Sequence, residues 1–227
     1  MKTVVVTGAS RGLGKAIATE LLNQDYRVVG ISRSGNVPDG AVGLACDVGD
    51  ASAVKEALTE VAKDKSLYAL INAAGIASMN LAITTPPETV EKIIRTNLIG
   101  TINCCIALAK RLSRNKGGRI INFSTIAVPI SLKGESVYVA SKAGVEGFSR
   151  SFAREMADFG ATVNVIAPGP IDTDLIAGVP SKAIDKIIAN QIIPEKFGKD
   201  AVIELVEFLL SDRSRMLSGQ VLNIGGA

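Results

Sequence analysis

Apolar residues along this chain alternate between two patterns. Short continuous runs of Val, Ile, Leu and Ala, as expected of strands buried on both faces, occupy residues 2–7, 26–32, 41–46, 67–72, 120–124 and 162–167, with a last one near 220–224. Between them, apolar residues recur at helical spacing. Residues 12–24 carry Leu13, Ile17, Leu21 and Leu22, and residues 51–63 carry Val54, Leu58 and Val61 on one face. A long helix is predicted over 87–115, from Val90, Ile93, Ile94, Leu98, Ile102, Ile106 and Ala109, with prolines at its start and Gly117-Gly118 after its end. A second is predicted over 137–159, with Val145, Phe148, Phe152 and Met156, and a shorter one over 201–210. Strands alternating with helices predict an α/β fold whose parallel sheet of about seven strands is covered on both faces.

No repeat, linker or low-complexity tract breaks this rhythm, and 227 residues suit one domain spanning 1–227. The segment 171–199 departs from it, with Gly178, Pro180, Pro194 and Gly198. Ligands of parallel sheets bind beyond the carboxyl ends of the strands, where this segment begins, so it is expected to be a lid over a site.

Composition narrows the chemistry. The chain has no histidine, which excludes Ser-His-Asp and Cys-His mechanisms and any His-ligated metal, and its three cysteines cannot form a four-cysteine site; no metal is expected. Cys46, Cys104 and Cys105 read as buried, reduced thiols. A net charge of +3 is too small to point to nucleic acid. Neither a signal h-region nor an apolar run of about 18 residues is present, so a soluble, cytoplasmic protein without membrane contact is expected.

Two motifs carry the chemistry. Thr7-Gly8-Ala9-Ser10-Arg11-Gly12-Leu13-Gly14 joins the first strand to the first helix, where glycines let backbone N–H groups approach a pyrophosphate and the helix dipole favours negative charge. Tyr138 and Lys142 lie one turn apart on one helical face, so the ammonium is expected near the phenol, favouring the phenolate.

These motifs, with Asp47-Val48, Asn72-Ala73-Ala74-Gly75, Asn97 and Pro168-Gly169 in the same order, resemble the short-chain dehydrogenases/reductases over essentially the whole chain. The resemblance implies a Rossmann-type doubly wound sheet that binds NAD or NADP and moves a hydride to or from a carbonyl carbon. In it Tyr138 acts as acid or base, Lys142 binds the nicotinamide ribose and tunes Tyr138, and Asn97 supports a water-linked proton relay. Gly8, Ser10, Arg11, Gly12, Leu13 and Gly14 would hold the pyrophosphate end, and Asp47 and Val48 the adenine. Asn72, Ala73 and Gly75 would flank the cofactor, and Pro168, Gly169, Ile171 and Thr173 would approach the nicotinamide. The family's catalytic Ser is replaced by Thr125, which keeps a donor hydroxyl; Ser124, one residue earlier, is the alternative.

An acid at the end of the second strand would accept from the ribose 2′-OH; here Ser32 stands there, followed by Arg33, and Arg11 lies in the glycine turn. Two guanidinium groups suit a 2′-phosphate, so NADPH is expected. Within the family the look is of β-ketoacyl-acyl-carrier-protein reductases and related carbonyl reductases, notably in the run from Ile166 to Asp174. That implies an NADPH-dependent carbonyl reductase acting on a small carbonyl compound or a 3-oxoacyl thioester. The alternatives are an alcohol dehydrogenase working in oxidation, or a silent cofactor-sensing scaffold. Lys110, Arg111, Arg114, Lys116 and Arg119 either dock an acyl carrier protein or complement a helix dipole. The long helices, with Cys104, Leu108 and Leu112, predict a homodimer or homotetramer.

Overall fold

The computed structural model describes residues 1–115, 117–171 and 181–227. In chain order the elements are β1 (Thr3–Thr7), α1 (Gly12–Asn23), β2 (Arg27–Ser32), β3 (Val42–Ala45), α2 (Ala51–Ala57), β4 (Leu67–Asn72) and α3 (Pro87–Ile94). There follow α4 (Gly100–Arg114), β5 (Arg119–Phe123), α5 (Ala127–Ile130), α6 (Ser136–Ala157), β6 (Thr162–Pro168), α7 (Ser181–Ala189), α8 (Lys199–Leu210) and β7 (Val221–Ile224). Among the described residues the strands form one seven-stranded parallel sheet in the order β3-β2-β1-β4-β5-β6-β7.

The strand side chains alternate between two cores. Val5 and Leu70 face Leu58 of the loop after α2, Leu108 of α4 and Met156 of α6, whereas Val4, Val6 and Ile71 face Ile17 of α1 and Val206 of α8. Each fully buried Val, Ile or Leu contributes roughly 1.5–3 kcal/mol of transfer free energy. Strand order reverses between β1 and β4, so their carboxyl ends diverge into a crevice, and the elements that follow the strands converge there.

Several boundaries differ from expectation. The predicted helix 87–115 is two helices, because Arg95–Ile99 forms a π-turn between α3 and α4. The extra residue of such a turn changes the facing of what it contains, and here Asn97 is fully buried within it. The predicted helix 51–63 stops at Ala57 and resumes as a 3₁₀ turn at Val61–Lys63. Within 171–199, α7 is helical; the remaining part at 172–180, including Thr173, lies outside the described residues. Cys104, Leu108 and Leu112 are wholly buried in the chain's own core and face no partner; the exposed apolar residues there are Ile99 and Ile106.

The basic cluster lies at the end of the sheet opposite the crevice. α4 runs back against the strands, so Lys110, Arg111 and Arg114 sit near the amino end of β5. Arg111 donates from Nε to Ala62 O at 3.0 Å and from Nη2 to Lys63 O at 3.0 Å, and Arg119 is buried. Lys116 lies outside the described residues. This placement supports the helix-dipole reading over carrier docking.

Candidate active site

A cleft of about 640 Å³ opens at the carboxyl ends of the strands. Of the residues singled out from sequence, it is lined by Gly8, Ser10, Arg11, Gly12, Leu13, Gly14, Ser32, Arg33, Asp47, Val48, Ala73, Gly75, Ser124, Thr125, Tyr138, Lys142, Pro168, Gly169 and Ile171. Asn72 and Asn97 are buried behind it.

At one end stands the glycine turn. Gly8 has φ +70°, and a Cβ there would lie 2.9 Å from Ala74 Cα; a Cβ on Gly14 would lie 2.4 Å from Gly8 O. Only glycine permits this approach of β1, α1 and the end of β4. Thr7 ties the same strand ends together, its Oγ1 accepting from Ala74 N at 3.0 Å. α1 starts without a side-chain cap and without an acidic residue in its first turn, whereas Asp50 caps α2 through Ser52 N and Ala53 N. Uncapped N–H groups at the positive end of the α1 dipole therefore face the cleft. A dinucleotide's pyrophosphate fits this cradle, and the cleft has room for the rest of the cofactor.

Beyond the glycine turn the cleft is bordered by Ser32, Arg33, Asp47 and Val48, the residues expected to meet the adenosine. Ser32 Oγ donates to Asn36 O at 2.9 Å, and Asp47 Oδ1 accepts from Gly49 N at 2.9 Å, which fixes both strand ends. Arg95, from the π-turn, lines the same cleft and donates from Nε to Gly49 O at 3.2 Å.

The other end carries the candidate reacting groups. Tyr138 and Lys142 are buried on α6, and the Thr125 hydroxyl stands beside the Tyr138 phenol, close enough to favour its charged form. Ser124 is committed elsewhere: its Oγ donates to Glu146 Oε1 at 2.6 Å, and Glu146 Oε2 accepts from Arg150 at 3.2 Å. Consecutive residues leaving a strand face opposite ways, so Thr125, not Ser124, meets the phenol.

Lys142 Nζ donates to Phe123 O at 2.8 Å, and burial lowers its ammonium to about 8. The Tyr138 phenol is pushed well above its ordinary value, first by burial, then by the Glu135 charge, with the Thr125 hydrogen bond opposing. The expected lowering of Tyr138 by Lys142 is therefore corrected: burial and the Glu135 charge outweigh it, and the phenol stays protonated.

Asn97 acts through the loop. Its Oδ1 accepts from Ile76 N at 2.9 Å, and its Nδ2 donates to Ile76 O at 2.9 Å and to Ser141 Oγ at 3.0 Å, while its main-chain O accepts from Thr101 Oγ1 at 2.8 Å. A Cβ on Gly75 would stand 3.5 Å from Asn97 Oδ1 and 3.6 Å from Lys142 Nζ, so this loop closely overlies both groups. Asn72 Nδ2 donates to Asn122 Oδ1 at 2.8 Å, and Asn122 Nδ2 to Ser149 Oγ at 2.8 Å, a buried ladder that joins β4, β5 and α6.

Sequence reasoning did not single out Glu135, Lys92, Arg95, Met79, Ile126, Leu132, Ile184 or Ile187, all of which line the cleft. The spacing of Glu135, three residues before Tyr138, was the available signal; Arg95 was masked by the π-turn.

A doubly wound sheet with a dinucleotide cradle and a Tyr-Lys pair beside a donor hydroxyl defines a nucleotide-dependent oxidoreductase. The chain belongs to the short-chain dehydrogenase/reductase family, whose short chain dehydrogenase model matches residues 2–183. It is similar to the 3-oxoacyl-[acyl-carrier-protein] reductase FabG of Staphylococcus aureus, 34% identical over 99% of this chain and 97% of that one. MabA of Mycobacterium tuberculosis, also a 3-oxoacyl-[acyl-carrier-protein] reductase, is 36% identical over 99% of this chain and 92% of its own. Among solved structures, the ligand-free aldohexose dehydrogenase AldT of Thermoplasma acidophilum superposes with a TM-score of 0.89 at 28% identity, covering 99% of this chain and 93% of that one. Among the described residues, no helix is long and apolar enough to cross a membrane, and no cluster of acidic or cysteine side chains could hold a metal ion.

Proposed function

We propose that this protein is an NADPH-dependent reductase that converts a carbonyl to an alcohol, with a 3-oxoacyl thioester as the substrate class. The observation that carries the direction is the buried Tyr138 phenol, held protonated beside the Thr125 hydroxyl and one turn from Lys142. A protonated phenol is a proton donor, which suits reduction; oxidation requires the phenolate that this environment disfavours.

Bound NADPH supplies the hydride. As the carbonyl carbon receives it, the C=O electron pair moves to oxygen, and Thr125 and Tyr138 donate hydrogen bonds to the developing oxyanion. The phenol proton then transfers to that oxygen, and the Lys142 ammonium stabilises the phenolate left behind. Asn97, through its two bonds to Ile76, keeps the loop that carries Gly75 against Lys142, so that the ammonium stays at this end of the cleft.

NADPH over NADH is supported by Arg11 and Arg33 lining the cleft, with Ser32 in place of an acid at the end of β2. The acyl thioester and an acyl carrier protein partner are supported by the likeness to FabG and MabA. The apolar wall of Met79, Ile126, Leu132, Ile184 and Ile187 suits an acyl group. A homodimer or homotetramer is supported by Ile106 on α4, which is 65% exposed, and by Phe159 just beyond α6, which is 50% exposed.

The test is Tyr138→Phe. NADPH oxidation with a 3-oxoacyl thioester should be abolished while NADPH binding, followed by cofactor fluorescence, persists. Retained turnover would overturn the assigned proton donor.

A further inference from the structure

Glu135 is the N-cap residue of α6, and its side chain lines the cleft one helical turn before Tyr138. An acidic residue at a helix start ordinarily serves the first-turn N–H groups or the dipole. Here the carboxylate caps nothing and makes no hydrogen bond or ion pair among the described residues, while the backbone of Glu135 is fully engaged, donating to Leu132 O at 3.3 Å and accepting from Val139 N at 2.7 Å. Its place is therefore set by the backbone, and its charge lies close enough to the cleft's Tyr138 phenol to act on it.

The charges around it are unevenly distributed. Lys142, on the same helix, is buried and commits an N–H to Phe123 O. Burial is the cause that raises the Glu135 carboxyl, with no neighbouring cation among the described residues offsetting it, and the Glu135 charge in turn acts on the Tyr138 phenol. A substrate whose carbonyl oxygen meets Tyr138 and Thr125 therefore presents its next few atoms within electrostatic reach of Glu135. A free 3-oxo acid carries a carboxylate two carbons from the reacting carbonyl, whereas a thioester has no charge at that place. Like charges brought together in a partly desolvated site are strongly disfavoured.

We propose that Glu135 is a specificity-determining residue of this cleft, admitting carbonyl compounds that are uncharged next to the reacting carbon and rejecting the corresponding free acids. Discrimination of this kind comes from a repulsive element built against the wrong ligand, not from an added contact to the right one. The inference rests on the reductive reading of the site and sharpens its substrate class.

The test compares two probes on the full-length, NADPH-loaded protein: 3-oxobutanoate and its N-acetylcysteamine thioester. In the parent protein, kcat/KM for the thioester should exceed that for the acid. Glu135→Gln should shrink the ratio by about tenfold or more, through a fall in KM for the acid, and Glu135→Lys should shrink it further. Because both probes are measured on each variant, a loss of folded or active protein cancels from the ratio. Lys133→Gln, an exposed charge change outside the cleft, should leave the ratio at its parent value. An unchanged ratio in Glu135→Gln and Glu135→Lys, or an equal change in Lys133→Gln, would overturn the proposal. Absence of any thioester reduction by the parent protein would instead count against the reductase reading. Selectivity is then read from the quenching of bound NADPH fluorescence by each probe, and equal affinities of parent and Glu135→Gln for the acid would refute the role of Glu135.

Discussion

Ser124 and Thr125 are adjacent hydroxyl residues given opposite tasks by one strand end, and exchanging each for Ala separates them. Ser124→Ala deletes the 2.6 Å hydrogen bond to Glu146 Oε1. Glu146 is 7% exposed, and its remaining partner Arg150 carries a side chain that is 55% exposed, so the buried carboxylate loses its one inward donor. Leaving such a group undersatisfied costs about 1–3 kcal/mol. At roughly 2–4 °C per kcal/mol for a chain of this size, Tm should fall by roughly 2–12 °C. Turnover per folded molecule should fall little, since the lost bond points away from the phenol. Thr125→Ala removes the hydroxyl that meets the Tyr138 phenol and, in the proposed mechanism, the developing oxyanion. Loss of one such donor lowers kcat by about 100- to 1,000-fold. Thr125 is half-buried, and among the described residues its hydroxyl otherwise accepts only from Ala127 N at 3.2 Å, so Tm should move little. Thr125→Ser should restore most of kcat. Thermal denaturation and steady-state NADPH oxidation on the same preparations make the comparison. If Ser124→Ala cost more in kcat than Thr125→Ala, the division of roles read from the geometry would be wrong.

Other outcomes follow from the same structure. Arg33→Ala should erase a preference for NADPH over NADH in fluorescence titrations; equal affinities in the parent would refute the expected cofactor. Burial lowers Lys142 from 10.5 to about 8, so between those values the unfolded chain binds the extra proton, and below about 8 the cost of the buried ammonium is fully present. Lys142→Met should therefore make the cofactor-free protein more stable than the parent at pH 7, by up to about 3 kcal/mol, in urea denaturation. That advantage should fade as pH rises from 8 towards 10.5, and a variant no more stable at pH 7 would contradict the burial argument. Light scattering should give a dimeric or tetrameric mass that Ile106→Lys lowers; a monomeric parent would count against the proposed assembly.

Much of the fold was legible because a parallel sheet covered on both faces writes itself as continuous apolar runs. Val4-Val5-Val6 or Leu70-Ile71 must serve two cores at once, and no polar residue interrupts them. The cofactor cradle was legible for a related reason: Gly8 and Gly14 sit where backbone atoms approach too closely for any side chain. The chain's other two tyrosines are packing residues: the Tyr68 hydroxyl donates to Leu210 O, and Tyr26 packs against the core between α1, α8 and the sheet. The break at Arg95–Ile99 was not legible, since a π-turn inserts a residue without disturbing the apolar count on either side.

Residue types and their order thus determined the sheet, the cradle and the family, because burial and backbone sterics act on the local pattern. Tertiary structure alone decided the charges and the partners. Whether a hydroxyl serves Glu146 or Tyr138 depends on which way a strand end turns, and whether Tyr138 is a phenol or a phenolate depends on how deeply α6 is buried and on the unpaired Glu135 beside it. Those quantities are set by distance and desolvation across elements far apart in the chain, and spacing along the sequence does not contain them.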